Sequence, residues 1–154
     1  MMKTVVIGLG NPILSDDGVG IHVVRALGEH LPPEVDIKEA AVGGMELVEM
    51  LLGYERAFIV DAIKTKNGRV GEVYRIGPSE IRPRVQSASL HNISFAEALA
   101  FWKSACPTTI PKEIIIYAVE VSDITTFSEK MSPEVERAIP KVVEMIADEI
   151  GSSL

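Results

Sequence analysis

The sequence has few of the residues that build disulfides, membrane spans or nucleic-acid-binding surfaces. Its single cysteine, Cys106, excludes a disulfide within the chain and fits a reducing compartment. No apolar run approaches the roughly 20 residues that a spanning helix needs, so we expect no membrane insertion. Acidic residues outnumber basic ones, the net charge is −7, and there is no basic stripe. Because nucleic-acid binding depends on Lys and Arg against phosphates, it is not expected.

The beginning of the chain lacks the features of a secretory signal. MMKTVVIGLGNP carries one Lys and a short apolar run, and then meets Pro and two Asp instead of a small-residue cleavage site. We therefore expect a cytoplasmic protein. The composition, 47% hydrophobic and 24% charged, is typical of a globular protein, and we predict one domain over residues 1–154.

The spacing of apolar residues predicts the element order β-α-β-α-β-β-loop-α-β-α. Apolar runs predict buried strands at residues 4–9, 35–42, 56–63 and 113–121. Residues 68–77 alternate like a half-exposed strand, which can pair as a hairpin with its predecessor. Helical spacing predicts helices at 17–31, 45–53, 94–102 and 132–151, the third opened by a capping box of Ser94 and Glu97. The predicted fold class is α/β, a mostly parallel twisted five-stranded sheet with helices on both faces, in three layers, with one antiparallel strand.

Three acids lie where predicted strands end. Asp16 and Asp17 follow the first strand, and Asp61 interrupts the apolar end of the third. Parallel strands bring their carboxyl ends to one edge of the sheet, where α/β proteins bind ligands. One acid is enough to cap the following helix, which accounts for Asp16 and leaves Asp17 unexplained. Asp61 either accepts hydrogen bonds from loop amides or serves a ligand, because a buried carboxylate needs a partner.

The three histidines and the cysteine are expected in different surroundings. His22 shares a helix face with charged residues and is expected in solvent, and His30 lies in a last helical turn, where the dipole favours a cation. His91, in an irregular segment before a helix, lies either on the surface or in a cleft. Cys106 precedes the amino end of a strand, at the opposite edge from the acids, so it is not predicted to be catalytic.

Two carboxylates and an imidazole form a ligand set suited to a divalent first-row metal. Asp17, Asp61 and His91 can meet at one edge of the sheet and leave coordination positions for water or substrate. Their spacing matches no local metal motif.

One segment carries a family resemblance. GLGNPILSDDGVGIHVVRAL resembles the opening of the nickel–iron hydrogenase maturation endopeptidases, whose signature is G-x-G-N, a few apolar residues and S/T-D-D/E-G-x-G. The similarity continues through GGMELVEMLLGYERAFIVDAI, SLHNISFAEAL and SPEVERAI. It implies a protease that removes the C-terminal extension of a hydrogenase large-subunit precursor after nickel insertion. It also implies that Asp17, Asp61 and His91 bind nickel and take part in catalysis.

The same resemblance implies how metal and substrate arrive. The nickel is carried by the precursor, so binding of this nickel shows that the precursor has received its metal. Another divalent metal can replace the nickel in crystals. Gly43, Gly44 and the loop 78–90 are candidates for gripping the extension. The family often has Glu at the position of Asp17.

Other functions remain open at this point. GLGNP after a first strand also resembles peptidyl-tRNA hydrolase, although ILSDDGVGIHV follows where that family has a Tyr and a Thr-Arg-His-Asn run. A dinucleotide-binding module needs a third glycine at Ile13, and Asp16 and Asp17 would repel a pyrophosphate. A non-catalytic metal-binding protein is the third alternative.

Overall fold

The computed structural model describes residues 3–78, 86–87 and 92–151. Within them the strands are β1 (Thr4–Leu9), β2 (Asp36–Ala40), β3 (Arg56–Lys64), β4 (Val73–Ile76), β5 (Gln86–Ser87) and β6 (Glu113–Glu120). The helices are α1 (Val19–Leu27), α2 (Gly44–Leu51), α3 (Asn92–Ala105) and α4 (Pro133–Gly151), with a 3-10 turn over Ser15–Gly18 before α1.

The strands form one mixed sheet in the order β2-β1-β3-β6-β4. β1, β2, β3 and β6 run parallel, β4 is antiparallel to β6, and the two-residue β5 is antiparallel to β3. The predicted α/β fold with a mostly parallel five-stranded sheet is therefore confirmed, and β5 adds a short second antiparallel pairing that was not predicted.

Two apolar layers enclose the sheet. β-strand side chains alternate between its faces, so that Val60 packs with α1 and α4 on one side, and Ile59 packs with α2 and α3 on the other. The helices thus lie on both faces, as predicted. Of the helices within the described residues, none combines the length and the apolarity that a membrane crossing needs.

The connections that follow the central strands β1 and β3 run to opposite faces of the sheet. The chain after β1 enters α1 on one face, and the chain after β3 reaches α3 on the other. In α/β sheets, neighbouring strands whose connections diverge in this way open a crevice beyond their carboxyl ends. The crevice therefore lies between β1 and β3.

Three local predictions are wrong. The strand at 68–77 is shorter and pairs with β6 and not with its predecessor β3. The predicted helix at 17–31 is a 3-10 turn followed by α1, which ends at Leu27. Helix α3 begins at Asn92, so Ser94 lies inside the helix and is not its N-cap.

Candidate functional site

The turn after β1 is closed by a glycine that no larger residue can replace without strain. Gly10 has φ +133°, and a Cβ built on it would lie 2.0 Å from the backbone carbonyl oxygen of Asp17. Only glycine adopts this conformation readily and allows such a close approach. The turn therefore brings the backbone of Asp17 back against the carboxyl end of β1.

The carboxylate of Asp17 is buried and only half satisfied. The residue is 4% exposed, and its Oδ2 accepts a hydrogen bond from the backbone N–H of Asn11 at 2.9 Å. Its Oδ1 is buried and has no hydrogen-bond partner among the residues that the structure describes. Burial raises the pKa of Asp17 above its ordinary value, against the opposing effect of the Asn11 hydrogen bond. An orphaned buried carboxylate oxygen is costly, and in native proteins it marks a catalytic group or a place for a water or an ion.

Asp16 has a different role from the predicted helix cap. Neither the 3-10 turn nor α1 has a side-chain cap, so that prediction is wrong. The fully buried carboxylate instead accepts hydrogen bonds from the backbone N–H groups of Ser122, Asp123 and Ser132 and from Ser132 Oγ, at 2.6–3.1 Å. Asp16 therefore ties the chain between β6 and α4 to the turn that carries Asp17.

Asp61 lies in β3 beside the end of β1. It is 6% exposed, and its Oδ1 accepts a hydrogen bond from the backbone N–H of Ala62 at 2.8 Å. Its neighbours Val60 and Ala62 belong to the layer of α1 and α4. Because side chains alternate along a strand, Asp61 faces the layer of α2 and α3.

The two acids are brought to the same rim of the sheet. Gly8 of β1 pairs with Val60 of β3, so Asp61 is level with the last residue of β1. A Cβ on Gly20 would lie 2.4 Å from the Val60 carbonyl oxygen and 2.5 Å from that of Leu9, so α1 begins directly against both strand ends. Asp17 and Asp61 thus flank the crevice between β1 and β3.

Comparisons with known proteins identify the family of the chain. A family model described as hydrogenase maturation protease matches residues 21–149. The chain belongs to the hydrogenase maturation protease family. It is 29% identical to the coenzyme F420 hydrogenase subunit delta of Methanothermobacter thermautotrophicus, over 98% of this chain and 96% of that protein. It is 26% identical to the hydrogenase 2 maturation protease of Escherichia coli, over 94% of this chain and 88% of that protein.

Solved structures show the same fold. The hydrogenase maturating endopeptidase HybD of Escherichia coli aligns with a TM-score of 0.80 at 24% identity, over 99% of this chain and 94% of that one. The nickel–iron hydrogenase maturation protease HybD of Thermococcus kodakarensis aligns with a TM-score of 0.73 at 24% identity, over 97% and 99%. The resemblance predicted from GLGNPILSDDGVGIHVVRAL is therefore confirmed at the level of the family.

The third predicted ligand of this hydrogenase maturation protease, His91, lies outside the described residues. Within residues 3–78, 86–87 and 92–151, no three His, Cys, Asp or Glu side chains come together as a metal site. Helix α3 begins at Asn92, directly after His91 in the chain, and packs on the face to which Asp61 points. The ligand set of Asp17, Asp61 and His91 stays a prediction.

The predicted substrate-binding glycines follow β2 at the same rim. Gly43 is the N-cap residue of α2, and its carbonyl oxygen accepts the Leu47 N–H at 2.9 Å, while Gly44 is buried in the first turn. A Cβ on Gly43 would meet no atom within 4 Å among the residues that the structure describes. Their contact with substrate stays a prediction, and most of the loop 78–90 lies outside the described residues.

The remaining candidates, two histidines and a cysteine, differ in their surroundings. His22 is half-buried, with its Nε2 buried and unpartnered among the described residues, so the prediction of a solvated histidine is wrong. His30 lies beyond the end of α1 and not in its last turn. Cys106 is exposed and follows α3, before the amino end of β6, as predicted.

The loop at residues 121–132 forms a further wall of the rim, which was not predicted from the sequence. Ser15 donates through Oγ to the Thr126 carbonyl oxygen at 2.8 Å, and its N–H donates to the Ser128 carbonyl oxygen at 2.9 Å. The sequence feature that could have drawn attention to this loop is ITTFS, a stretch without charged residues in a chain with 24% charged residues.

Proposed function

We propose that this chain is the endopeptidase that removes the C-terminal extension of a nickel–iron hydrogenase large-subunit precursor once nickel has been inserted. The nickel is part of the substrate. Asp17, Asp61 and His91 contact it and thereby distinguish the loaded precursor from the empty one. The alternative functions, a peptidyl-tRNA hydrolase or a dinucleotide-binding module, lose their basis because the chain belongs to the hydrogenase maturation protease family.

The single observation that supports this proposal is the buried Oδ1 of Asp17, which has no hydrogen-bond partner among the residues that the structure describes. A buried carboxylate without a partner costs free energy unless a cation or a proton satisfies it. Carboxylate oxygens are suitable ligands for a divalent metal, and two acids at one rim balance a dication's charge. The printed name of the Escherichia coli relative, a hydrogenase 2 maturation protease, supports a hydrogenase as the substrate.

Peptide hydrolysis also requires a group that transfers a proton, and the same acids can supply it. A water oxygen must bond to the scissile carbonyl carbon, the C–N bond must break, and one proton must pass from the water to the leaving amine. We assign that proton transfer to Asp17, because its Oδ1 has no hydrogen-bond partner among the described residues and can accept the proton when it is not bound to nickel. Asp61 and His91 position the precursor.

The test is cleavage of a nickel-loaded precursor, followed by the intact mass of the product. The wild-type chain should remove one segment from the C-terminus, and Asp17→Ala, Asp61→Ala and His91→Ala should each leave the precursor uncut. Asp148→Ala, which changes an exposed acid of α4, is the matched control and should cleave normally. An uncut precursor with the wild-type chain would refute the proposal, and full activity in one site variant would refute that residue's role.

A further inference from the structure

We propose that a groove between α4 and the turn before β4 binds an acidic peptide segment of the precursor. Three basic side chains line this cavity of about 370 Å³, Arg69, Arg137 and Lys141, and we call it the cationic groove. The inference rests on the proposed function and names the chemistry of one part of the substrate that the protein recognises.

The two walls of the cationic groove are joined by direct backbone contact. Gly71, in the turn before β4, has φ +91°, and a Cβ on it would lie 2.6 Å from the Glu134 carbonyl oxygen. A larger residue would strain the turn and push it away from the first turn of α4. Gly71 therefore keeps Arg69, on one wall, at a fixed place relative to Arg137 and Lys141 on the other.

Backbone hydrogen bonds to Glu120 anchor the same turn to the end of β6. The Glu120 carbonyl oxygen accepts the Gly71 N–H at 2.8 Å, and the Glu120 N–H donates to the Glu72 carbonyl oxygen at 2.8 Å. The Glu72 N–H donates to the Arg69 carbonyl oxygen at 2.9 Å and closes the turn. A surface that is ordered before binding loses little conformational entropy when a ligand arrives, which favours affinity.

The cationic groove lies at the same end of the sheet as the acids of the candidate site. Glu120 pairs with Ile63, which is two residues beyond Asp61 along β3. Asp16 ties the chain between β6 and α4 to the turn that carries Asp17. A precursor whose extension reaches the crevice can therefore place a second segment in the groove.

The three basic side chains of the groove are exposed, and none forms an ion pair within residues 3–78, 86–87 and 92–151. Arg137 and Lys141 lie four positions apart on α4, where like charges repel each other and destabilise a helix. The chain as a whole carries a net charge of −7, so this cluster opposes the overall charge. Unpaired cations gathered in one groove favour an anionic partner.

Two acids also line the groove and narrow the choice of partner. Glu72 lies beside the Tyr74 hydroxyl, whose pKa is raised by burial and then by hydrogen bonds to Glu72 and Glu120. Glu134 is exposed in the first turn of α4, where the helix dipole favours an acid. Its carboxylate can accept from a peptide N–H, which a bare anion such as phosphate does not offer.

The combined lining therefore fits an acidic peptide, with cations for its carboxylates and an acceptor for its backbone. A second copy of this chain is a poorer candidate, because two molecules of charge −7 repel each other. The same overall charge disfavours a nucleic acid. We assign the cationic groove to the precursor.

The first experiment measures kcat and KM for cleavage of the nickel-loaded precursor by Arg137→Gln and Lys141→Gln, alone and combined. Each change should raise KM about threefold and the pair about tenfold, with kcat unchanged, because ion pairs far from the cut stabilise ground and transition states equally. Arg137→Lys should keep the wild-type KM. Lys112→Gln, which removes an exposed cation before β6, is the matched control and should keep both constants.

Salt and competing anions test whether the effect is electrostatic. Sodium chloride should raise the KM of the wild type more steeply than that of the double variant, because salt screens exposed charges. A synthetic poly-glutamate peptide should inhibit the wild type competitively and the double variant less. Inorganic phosphate at the same ionic strength should not compete with the precursor.

Four results would overturn the inference. An unchanged KM in the double variant, with normal cleavage by the wild-type chain, would remove the role of the groove and leave the proposed function intact. Competition by phosphate and not by poly-glutamate would assign the groove to a small anion. A dimer in light scattering that the double variant converts to a monomer, at unchanged KM, would assign it to contact between copies. No cleavage by the wild-type chain would refute the proposed function and this inference together.

Discussion

Asp16 and Asp17 are adjacent in the chain but their carboxylates are satisfied very differently. Asp16 accepts four hydrogen bonds, and Asp17 accepts one and leaves Oδ1 unpaired among the described residues. The sequence predicted that Asp17 would be available to a ligand, because a helix N-cap needs only one acid and Asp16 can supply it. It could not predict the partners of Asp16, which lie more than a hundred residues away in an aperiodic loop.

Asp16→Asn should destabilise the protein. The variant keeps the size of the side chain, but its amide nitrogen cannot accept from Ser132 or from the loop N–H groups. Hydrogen bonds to a charged acceptor contribute about 1.5–3 kcal/mol, so the free energy of unfolding should fall by about 2–3 kcal/mol. Urea unfolding measures this change, and an unchanged midpoint would show that the loop is held by other contacts.

Asp17→Asn should separate activity from stability. The amide oxygen can still accept from the Asn11 N–H, and the neutral side chain no longer pays for desolvation of a charge. Cleavage should fall at least about 100-fold, as expected for a lost proton-transferring group, while the free energy of unfolding equals or exceeds that of the wild type. A loss of stability like that of Asp16→Asn would mean that Asp17 is structural.

Among strands and helices, the periodicity of apolar residues predicted the buried elements. It failed where polar contacts between distant residues determine which strand the chain pairs with next. β1, β3, β6 and α4 have the predicted positions within one or two residues, because their apolar runs are long. β4 was expected beside β3, but buried Glu120 accepts hydrogen bonds from Thr65 N–H and Oγ and from Tyr74 Oη. These bonds hold the chain after β3 against the end of β6, so β4 continues along β6. A glutamate at a strand end gives no such signal in the sequence.

The contact of α4 with the sheet should depend on pH through Glu149. This carboxylate accepts hydrogen bonds from Arg75 and Tyr117 and pairs with the buried Arg56 at 3.6 Å. The hydrogen bond from Arg75 is the main reason that its pKa lies below its ordinary value. Because the folded-state pKa is depressed, this stabilisation is complete above the unfolded pKa, about 4.3, and is lost as pH falls through the folded value.

Glu149→Gln should therefore reduce stability at neutral pH by about 2 kcal/mol, and less in acid. Chemical unfolding at pH 7 and at successively lower pH values measures the gap to the wild type, which should narrow as pH falls. Glu144→Gln, at an exposed position of the same helix, is the control and should follow the wild type at every pH. A gap that is constant or widens in acid would contradict this account.

In the chain as a whole, the order of elements was sufficient to predict the fold class and the edge of the sheet at which Asp17 and Asp61 lie. Alternating strands and helices imply a parallel sheet, and a parallel sheet gathers its carboxyl ends at one edge. The order could not show that β1 and β3 are neighbours, which places Asp17 and Asp61 on either side of one crevice. It also gave no sign that the loop after β6 would pair with the turn after β1, since both segments lack periodicity.

The central claim is that this hydrogenase maturation protease cleaves its precursor only when nickel is present. Intact mass spectrometry of the precursor, before and after incubation with the chain, tests it most directly, using one preparation loaded with nickel and one depleted of it. We predict that the loaded precursor loses its C-terminal extension and that the depleted one keeps its full mass. Equal trimming of the two preparations would contradict the claim.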